Sequence, residues 1–363
     1  MLVSGVVLGQ PAGGVRRHNA ELLPRVARLL AARGGSLAVL EGRARVAFDL
    51  PREIERIASD VPASPPILRA AAEGRALHAA IGGARAAGRP FDVVHTAHFP
   101  VPRSIAVPFT LTIHDLRALA YSDAPLPRRL VAGPVIGGAA RRAARVFTVS
   151  DWTAREIAAR LRVPDAVVIG NGGDHYVALP RAPRANAPIV AIGHLEPRKN
   201  LGLLVAALAH DASLPALDLW GAAKGDEAAR LLDSATKQGI SARVRIRGAF
   251  DEAQLASILA TAAAVVIPSK LEGFGIGVLE AQLARAPLAI ADAGALPEVA
   301  GEYAPRFAPD DARACAAAIR RALVATPADL ERAAEHAARF TWDRCAEVWC
   351  ESWCALEYDR SQP

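Results

Sequence analysis

The chain has 363 residues, 52% of them hydrophobic, with four cysteines and a formal net charge of +6. That length suits two domains of roughly 100–200 residues each, so few cysteines exclude a disulfide scaffold, and no apolar run approaches the ~20 residues of a membrane-crossing helix. Residues 1–184 hold 25 Arg and no Lys against 14 acidic residues, and the remainder 18 basic against 23 acidic; the first half is therefore the part suited to an acidic partner, such as an anionic membrane surface, a lipid-linked diphosphate or nucleic acid.

From the N-terminus, β-branched apolar runs alternate with Ala-, Leu- and Arg-rich stretches. Strands are expected at 2–8, 36–40, 92–96, 108–114, 145–149 and 166–170, then at 188–193, 216–221, 243–248, 263–268 and 287–292. Helices are expected at 20–32, 69–87, 134–144, 152–160, 201–209, 226–238, 252–260, 278–284, 312–324 and 341–358. This alternation predicts parallel sheets covered on both faces. The opening MLVSGVVLG has no basic leader and no cleavage site, so a first strand is expected rather than a signal peptide, and a cytoplasmic protein. The Pro-, Ala- and Arg-rich stretch 178–188 reads as a linker. It gives a first domain over 1–180, a second over 187–340, and a Trp-rich terminal helix over 341–363.

The loops carry the chemistry. Gly13 and Gly14 lead from the first strand into a helix, where the missing Cβ atoms admit a phosphate or an acceptor close to the backbone. The spacing is not G-x-G-x-x-G, which disfavours NAD. Arg16, Arg17 and His18 follow on the first helical turn and read equally well as solvated helix surface. His95 and His98 fall at the end of one strand. His114 and Asp115 close the next, at the carboxyl edge where open α/β sheets place ligands; on its own that pair reads as a turn or an N-cap. In GHLEPRKN, Arg198 and Lys199 open a helix and offer a guanidinium and an ammonium to a leaving diphosphate.

The richest stretch is PSKLEGFGIGVLEAQLAR (268–285). A buried strand ends at Pro268, and a helix begins near Ile276. Gly273, Gly275 and Gly277, flanking Phe274 and Ile276, admit a ligand close to the backbone. The unpaired N–H groups of the helix favour a diphosphate at Gly275–Val278. Glu272 on the loop and Glu280 on the helix would accept hydrogen bonds from sugar hydroxyls. A phosphate cradle flanked by two carboxylates asks for a nucleotide sugar. No D-x-D occurs, so no metal is expected at the diphosphate and no cofactor beyond the donor itself. Cys345, Cys350 and Cys354 lack zinc-site spacing and are expected as buried thiols.

Glu272 and Glu280 around GFG resemble the E-x7-E signature of the family 4 retaining glycosyltransferases. These have the GT-B fold, an α/β architecture of two Rossmann-like doubly wound domains facing a central cleft. GHLEPRKNL (193–201) resembles their phosphate-binding segment, LTIHDL (111–116) and VFTVSDWTAREI (146–157) elements of their first domain, and VVIGNGGD (167–174) the segment before the interdomain crossing. The resemblance spans most of the chain. It implies that His114 meets the donor sugar near the reacting carbon as an orienting group, that Glu272 touches the sugar, and that Glu280 holds the ribose hydroxyls. Phe250, with Ala249, would lie where the nucleobase packs. Lys199, Arg198 and His194 would meet the phosphates, and Arg16, His95, His98 and Asp115 would face the acceptor. Catalysis is expected to depend on His114, Glu272 and Lys199, and the terminal helix to cross back onto the first domain.

Two departures stand out. His194 replaces the Arg of many relatives, which shifts phosphate contact onto Lys199 and Arg198. Gly173 replaces the branched residue of NGVD, which suggests extra freedom near the crossing. The reaction implied is transfer of a hexose, mannose first, with retention and without a metal, in polysaccharide or lipid-linked oligosaccharide assembly. GDP-mannose is the first donor expected and a UDP-sugar the second; the acceptor is a lipid-linked or oligosaccharide hydroxyl. Peripheral contact with an anionic inner membrane face is expected through Arg128, Arg129, Arg141, Arg142 and Arg145, a segment that reads equally as a buried helix with a charged rim. A glycogen-synthase-like enzyme, an epimerase and a non-catalytic nucleotide-sugar binder stay open as alternatives. Nucleic-acid binding is not expected, because basic and aromatic residues do not interleave.

Overall fold

Most of the strands here are short Val-, Ile- and Leu-rich runs buried on both faces, as parallel sheets require. The computed structural model describes residues 1–9, 14–120 and 126–361, with backbone only for 120, 126–130 and 354–361. The chain forms two units, Met1–Asn171 with the terminal helix from Trp342, and Gly172–Thr341.

In the first unit lie β1 (Leu2–Ser4), α1 (Gly14–Ala31), β2 (Ala38–Glu41), β3 (Glu55–Ala58), α2 (Pro66–Ala86), β4 (Val94–Thr96), β5 (Phe109–Ile113), α3 (Arg117–Ala120), α4 (Leu126–Arg142), β6 (Arg145–Thr148), α5 (Asp151–Leu161) and β7 (Val167–Val168). Its seven strands are all parallel, in the order β3-β2-β1-β4-β5-β6-β7. The second unit contains β8 (Ile189–Ile192), α6 (Leu201–His210), β9 (Leu217–Trp220), α7 (Glu227–Lys237), β10 (Val244–Gly248), α8 (Glu252–Thr261), β11 (Ala264–Ile267), α9 (Ile276–Leu283), β12 (Leu288–Ala291), α10 (Leu296–Ala300), β13 (Arg306–Phe307), α11 (Ala312–Leu323) and α12 (Pro327–Ala337). Its six strands run parallel in the order β10-β9-β8-β11-β12-β13. Both units are therefore Rossmann-like and doubly wound. Strand order reverses between β1 and β4, and again between β8 and β11. Each reversal opens a crevice at the carboxyl ends of the strands, the standard ligand position in such sheets.

The terminal helix α13 (Trp342–Ser361) belongs to the first unit, along α1. Trp342 is fully buried, and the Trp349 ring lies 4.7 Å from that of His95. A buried Trp removes ~200 Å² from water, worth about 5 kcal/mol before entropy. The half-exposed Arg25–Asp343 pair at 2.9 Å contributes about 1 kcal/mol at most, so the indoles hold the helix. Cys315, Cys345 and Cys350 are buried.

Several expectations need correcting. β3 and β13 were not foreseen: β3 is a mostly exposed edge strand and β13 has two residues, so neither shows an apolar run. α4 begins at Leu126 and accommodates Pro134 inside, where a helix was expected to start. The stretch 178–188 is not a free linker. Arg181 donates to the carbonyls of Leu259 (2.6 Å) and Ala262 (2.9 Å), and Ala182 N–H to Ala260 O (3.0 Å), stitching it to the end of α8. Arg142 turns to the Pro102 carbonyl (3.3 Å) with its guanidinium 5.6 Å from the Phe109 ring, and Arg141 to Leu161 O (3.1 Å). Both brace the first unit. The side chains of Arg128 and Arg129 lie outside the described residues.

Candidate active site

In the second unit, the loops that follow β8 and β11 flank the strand reversal, and they are laced together. The Asn200 backbone is left-handed (φ 55°), and its side-chain amide donates to Pro268 O (3.1 Å) and Pro309 O (2.7 Å). Lys270 N–H bonds Arg198 O at 3.0 Å. This lacing brings Lys199 Nζ to 2.7 Å from Glu272 Oε1 and Arg198 Nη1 to 3.1 Å from Oε2. Gly193 permits it: a Cβ there would sit 3.3 Å from Lys199 Cε. Gly294 sets the other side. At φ +59° it packs where a Cβ would lie 2.6 Å from Glu272 O, and Ala295 N–H bonds that same oxygen at 3.0 Å. Gly294 thus braces the Glu272 backbone.

Charge dominates this corner. Burial pushes the Glu272 carboxyl up, but Lys199 and Arg198 outweigh it and hold it down at about 2. Arg198 also donates to Glu196 Oε1 (2.7 Å) and Leu271 O (2.8 Å), and Lys224 to Glu196 Oε2 (2.8 Å). Arg198 is therefore committed to bracing its own loop. Lys199 is the more available cation, since an ammonium has three donors and Glu272 takes one. His194 is half-buried beside them, and burial followed by Lys224 lowers its pKa. It is thus a neutral group, unlike the Arg it replaces.

α9 starts at this corner. Gly275 adopts φ 98°, and a Cβ there would meet Leu296 Cδ2 at 2.8 Å. Val278 N–H is already bonded to Gly275 O (2.9 Å), which corrects its place in the expected phosphate cradle and leaves the N–H groups of Ile276 and Gly277 without intrahelical partners. Gly273 is buried, and Phe274 is buried against Phe340 (ring centroids 6.1 Å), so Phe274 anchors the loop. Glu280 lies one turn on. Its Oε2 is 3.9 Å from the Cβ position of Gly277, and its Oε1 is 3.2 Å from His175 Nε2. Phe250 is half-buried just before the Asp251 cap of α8.

The first unit holds a separate cluster of histidines. His114 follows β5; its Nε2 is covered and has no partner. Burial, then His18 and His95, push its pKa well below the ordinary value, so the ring is neutral at pH 7. His18 stands edge-on to it (centroids 4.7 Å) and donates from Nδ1 to Asn171 Oδ1 at 2.7 Å. Burial lowers His18 to about 4. His18 is thus buried, against the surface reading; only the 3.6-residue periodicity with Leu22 hinted at it. Asp115 caps α3 by accepting from Arg117 N–H at 3.0 Å, so the two halves of the HD pair part company.

His95 and His98 were expected to face an acceptor and do not. His95 is buried, with Nδ1 2.9 Å from Thr110 Oγ1, and burial takes its pKa to about 3. His98 is held by the buried Glu73 at 2.9 Å. His95 bonds threonines of the neighbouring β5, His98 bonds Thr96 and the Glu73 of α2, and both serve packing. Arg16 donates to the Ala47 carbonyl. Gly14 opens α1 with nothing within 4 Å of the Cβ it lacks; Gly13 lies outside the described residues. Among the described residues, no group of three or more His, Cys, Asp or Glu is placed to hold a metal ion. Asn200, Glu196 and His175 brace the site in the second unit and carry no signal that isolates them in the sequence, apart from the left-handed tendency of Asn.

Comparison with known proteins agrees on the family. Residues 181–339 match the family model described as glycosyl transferases group 1, and residues 12–176 the model for glycosyltransferase family 4. The glycogen synthase of Mycobacterium tuberculosis is 30% identical over 306 residues, 75% of this chain and 70% of that protein. The MMP alpha-(1->4)-mannosyltransferase of Mycolicibacterium hassiacum is 29% identical over 268 residues, 70% of this chain and 63% of that one. Among solved structures, the Anabaena protein HepE in complex with UDP superposes with a TM-score of 0.71 at 18% identity, over 98% of this chain and 99% of that one. At that identity the likeness speaks for the fold alone.

Proposed function

Since the chain belongs to the family 4 glycosyltransferases, we propose that it moves a hexose from a nucleotide sugar to an acceptor hydroxyl with retention at the anomeric carbon. The observation that carries this reading is the meeting of Lys199, Arg198 and Glu272 at the β8/β11 reversal, beside the open start of α9. A diphosphate there gains the Ile276 and Gly277 amides and the Lys199 ammonium, all pre-placed for the charge that grows as the sugar leaves. These groups supply the neutralisation, and no metal is needed in the proposal. Glu272 turns from the cations to a sugar hydroxyl, Glu280 takes the ribose hydroxyls, and the neutral His114 offers its unpartnered Nε2 to a further hydroxyl.

In the proposed step the C1–O bond to the β-phosphate breaks and the acceptor oxygen bonds C1 on the same face. The acceptor proton passes to the leaving phosphate oxygen. Mannose from GDP-mannose is the first assignment, in keeping with the mannosyltransferase relative; a UDP-sugar is the second, in keeping with the UDP-bound neighbour. Glucosyl transfer onto a glucan is a second reading, favoured by the glycogen synthase relative. We place the acceptor among lipid-linked or oligosaccharide hydroxyls, taken in the cytoplasm at an anionic membrane face. The Arg-rich first half supports that placement, and no helix among the described residues is long and apolar enough to cross a membrane.

A thermal-shift panel of GDP-, UDP- and ADP-sugars tests the donor: a ligand at a hundred times its Kd adds about 2.7 kcal/mol of stability. Anomeric configuration and chain extension of the product follow by NMR and mass spectrometry. Retained configuration on a transferred hexose is the expected result. An inverted product, or an epimerised donor with no transfer, overturns the proposal. Flotation with anionic liposomes at low salt tests the membrane; failure to float removes that contact.

A further inference from the structure

We propose that His175 is a positioning residue for the ribose site: it fixes the Glu280 carboxylate for the 2′,3′-diol of a ribonucleoside diphosphate. The proposal rests on the reading that Glu280 takes the ribose hydroxyls. It begins at Gly173, the residue that departs from the family pattern. A Cβ at Gly173 would lie 2.9 Å from Leu283 Cδ1 and 3.1 Å from Leu279 Cβ, both on α9. The turn is closed by Gly173 N–H to Phe340 O (2.9 Å) and Tyr176 N–H to Gly173 O (3.0 Å). Gly173 therefore serves close packing, not the extra freedom expected of it: a Cβ here would crowd Leu279 and Leu283 where the turn lies on α9.

That seating delivers His175. Its side chain is 5% exposed, and its Nε2 reaches Glu280 Oε1 at 3.2 Å. A carboxylate oxygen is an acceptor, so Nε2 carries the proton. With Oε1 tied, the carboxylate plane is set, and Oε2 lies over the first turn of α9, 3.9 Å from the Cβ position of Gly277. A diol reaching α9 along with its diphosphate then meets an oriented acceptor whose rotamers are already restricted, which favours binding. Neither Gly173 nor His175 touches the phosphates in this arrangement, so their effect is confined to the diol.

The test compares UDP and GDP with their 2′,3′-dideoxy counterparts by calorimetry on the full chain. Wild type should prefer the ribonucleotides. His175→Phe keeps the ring volume and loses the donor, and should erase that preference, roughly tenfold, while leaving dideoxynucleotide affinity unchanged. His175→Gln restores a donor and should recover most of it. If His175→Phe does not fold, His175→Ala takes its place. Glu280→Ala separates the two readings. If it erases the preference and His175→Phe does not, the positioning role is wrong and the ribose reading stands. If Glu280→Ala keeps the preference, the ribose reading fails and takes this proposal with it. Equal loss of ribo- and dideoxynucleotide binding in His175→Phe means a merely structural role and overturns the proposal.

Discussion

Replacing Lys199 with Met is the sharpest perturbation of the donor site. Methionine keeps the stem that passes Gly193, where a Cβ would sit 3.3 Å from Cε, and removes only the ammonium. The ammonium lies 2.7 Å from Glu272 in a corner where the two side chains are 20% and 13% exposed, so solvent screens it weakly. Against a diphosphate, the loss of one charge-assisted bond weakens binding by about 1.5–3 kcal/mol, roughly ten- to a hundredfold in Kd. Glu272 keeps Arg198 at 3.1 Å, so the fold should survive. Lys224→Met is the control: its Nζ pairs with Glu196 at 51% exposure, and a surface pair is worth about 1 kcal/mol or less. Calorimetry of UDP and GDP against the three proteins, with circular dichroism to confirm folding, reads the difference. Unchanged affinity in Lys199→Met, or an equal loss in Lys224→Met, refutes the assignment of Lys199 to the phosphates.

Three further outcomes are expected. The Glu272 carboxyl sits at about 2 against 4.5 when unperturbed, a shift worth about 3 kcal/mol; the depressed value means stability present above pH 4.5 and lost as pH falls toward 2. Urea unfolding should show that loss in wild type and a flatter acid limb in Glu272→Gln, and identical limbs would count against the pairing. Gly294→Ala forces a side chain into φ +59° and against the Glu272 backbone, a change on the order of 1–3 kcal/mol; a wild-type Tm and turnover would show that this brace is dispensable. His114→Ala should lower kcat by about a hundredfold with nucleotide affinity kept. Because burial holds the wild-type ring neutral, the rate should show no His114 inflection between about pH 6 and 8, and such an inflection would contradict the burial argument.

What the sequence discloses follows from range. The strands at 264–267 and 288–291 are apolar runs buried on both faces, so their pattern is local and readable, and with it the doubly wound class. Glu272, Lys199 and the glycines of the α9 start are legible because backbone approach and phosphate charge restrict residue type at fixed spacing. The contacts that orient them are not legible. Asn200 bridges to residue 309, and His175 reaches Glu280 across more than a hundred positions; no periodicity records either. His95 and His98 misled because a histidine at a strand end looks the same whether it meets a ligand or, as here, threonines and a buried glutamate. The Trp content of 342–358 announces a buried helix, but which sheet it packs beside depends on tertiary contacts such as Trp349 against His95.

Donor recognition turns on where the diphosphate sits, and a crystal structure with a bound nucleotide sugar measures that directly. The predicted result is phosphate oxygens about 3 Å from the Ile276 and Gly277 amides and from Lys199 Nζ, with Glu272 released to the sugar. Phosphate density elsewhere in the second unit, with the Lys199–Glu272 pair intact at its 2.7 Å, would contradict it.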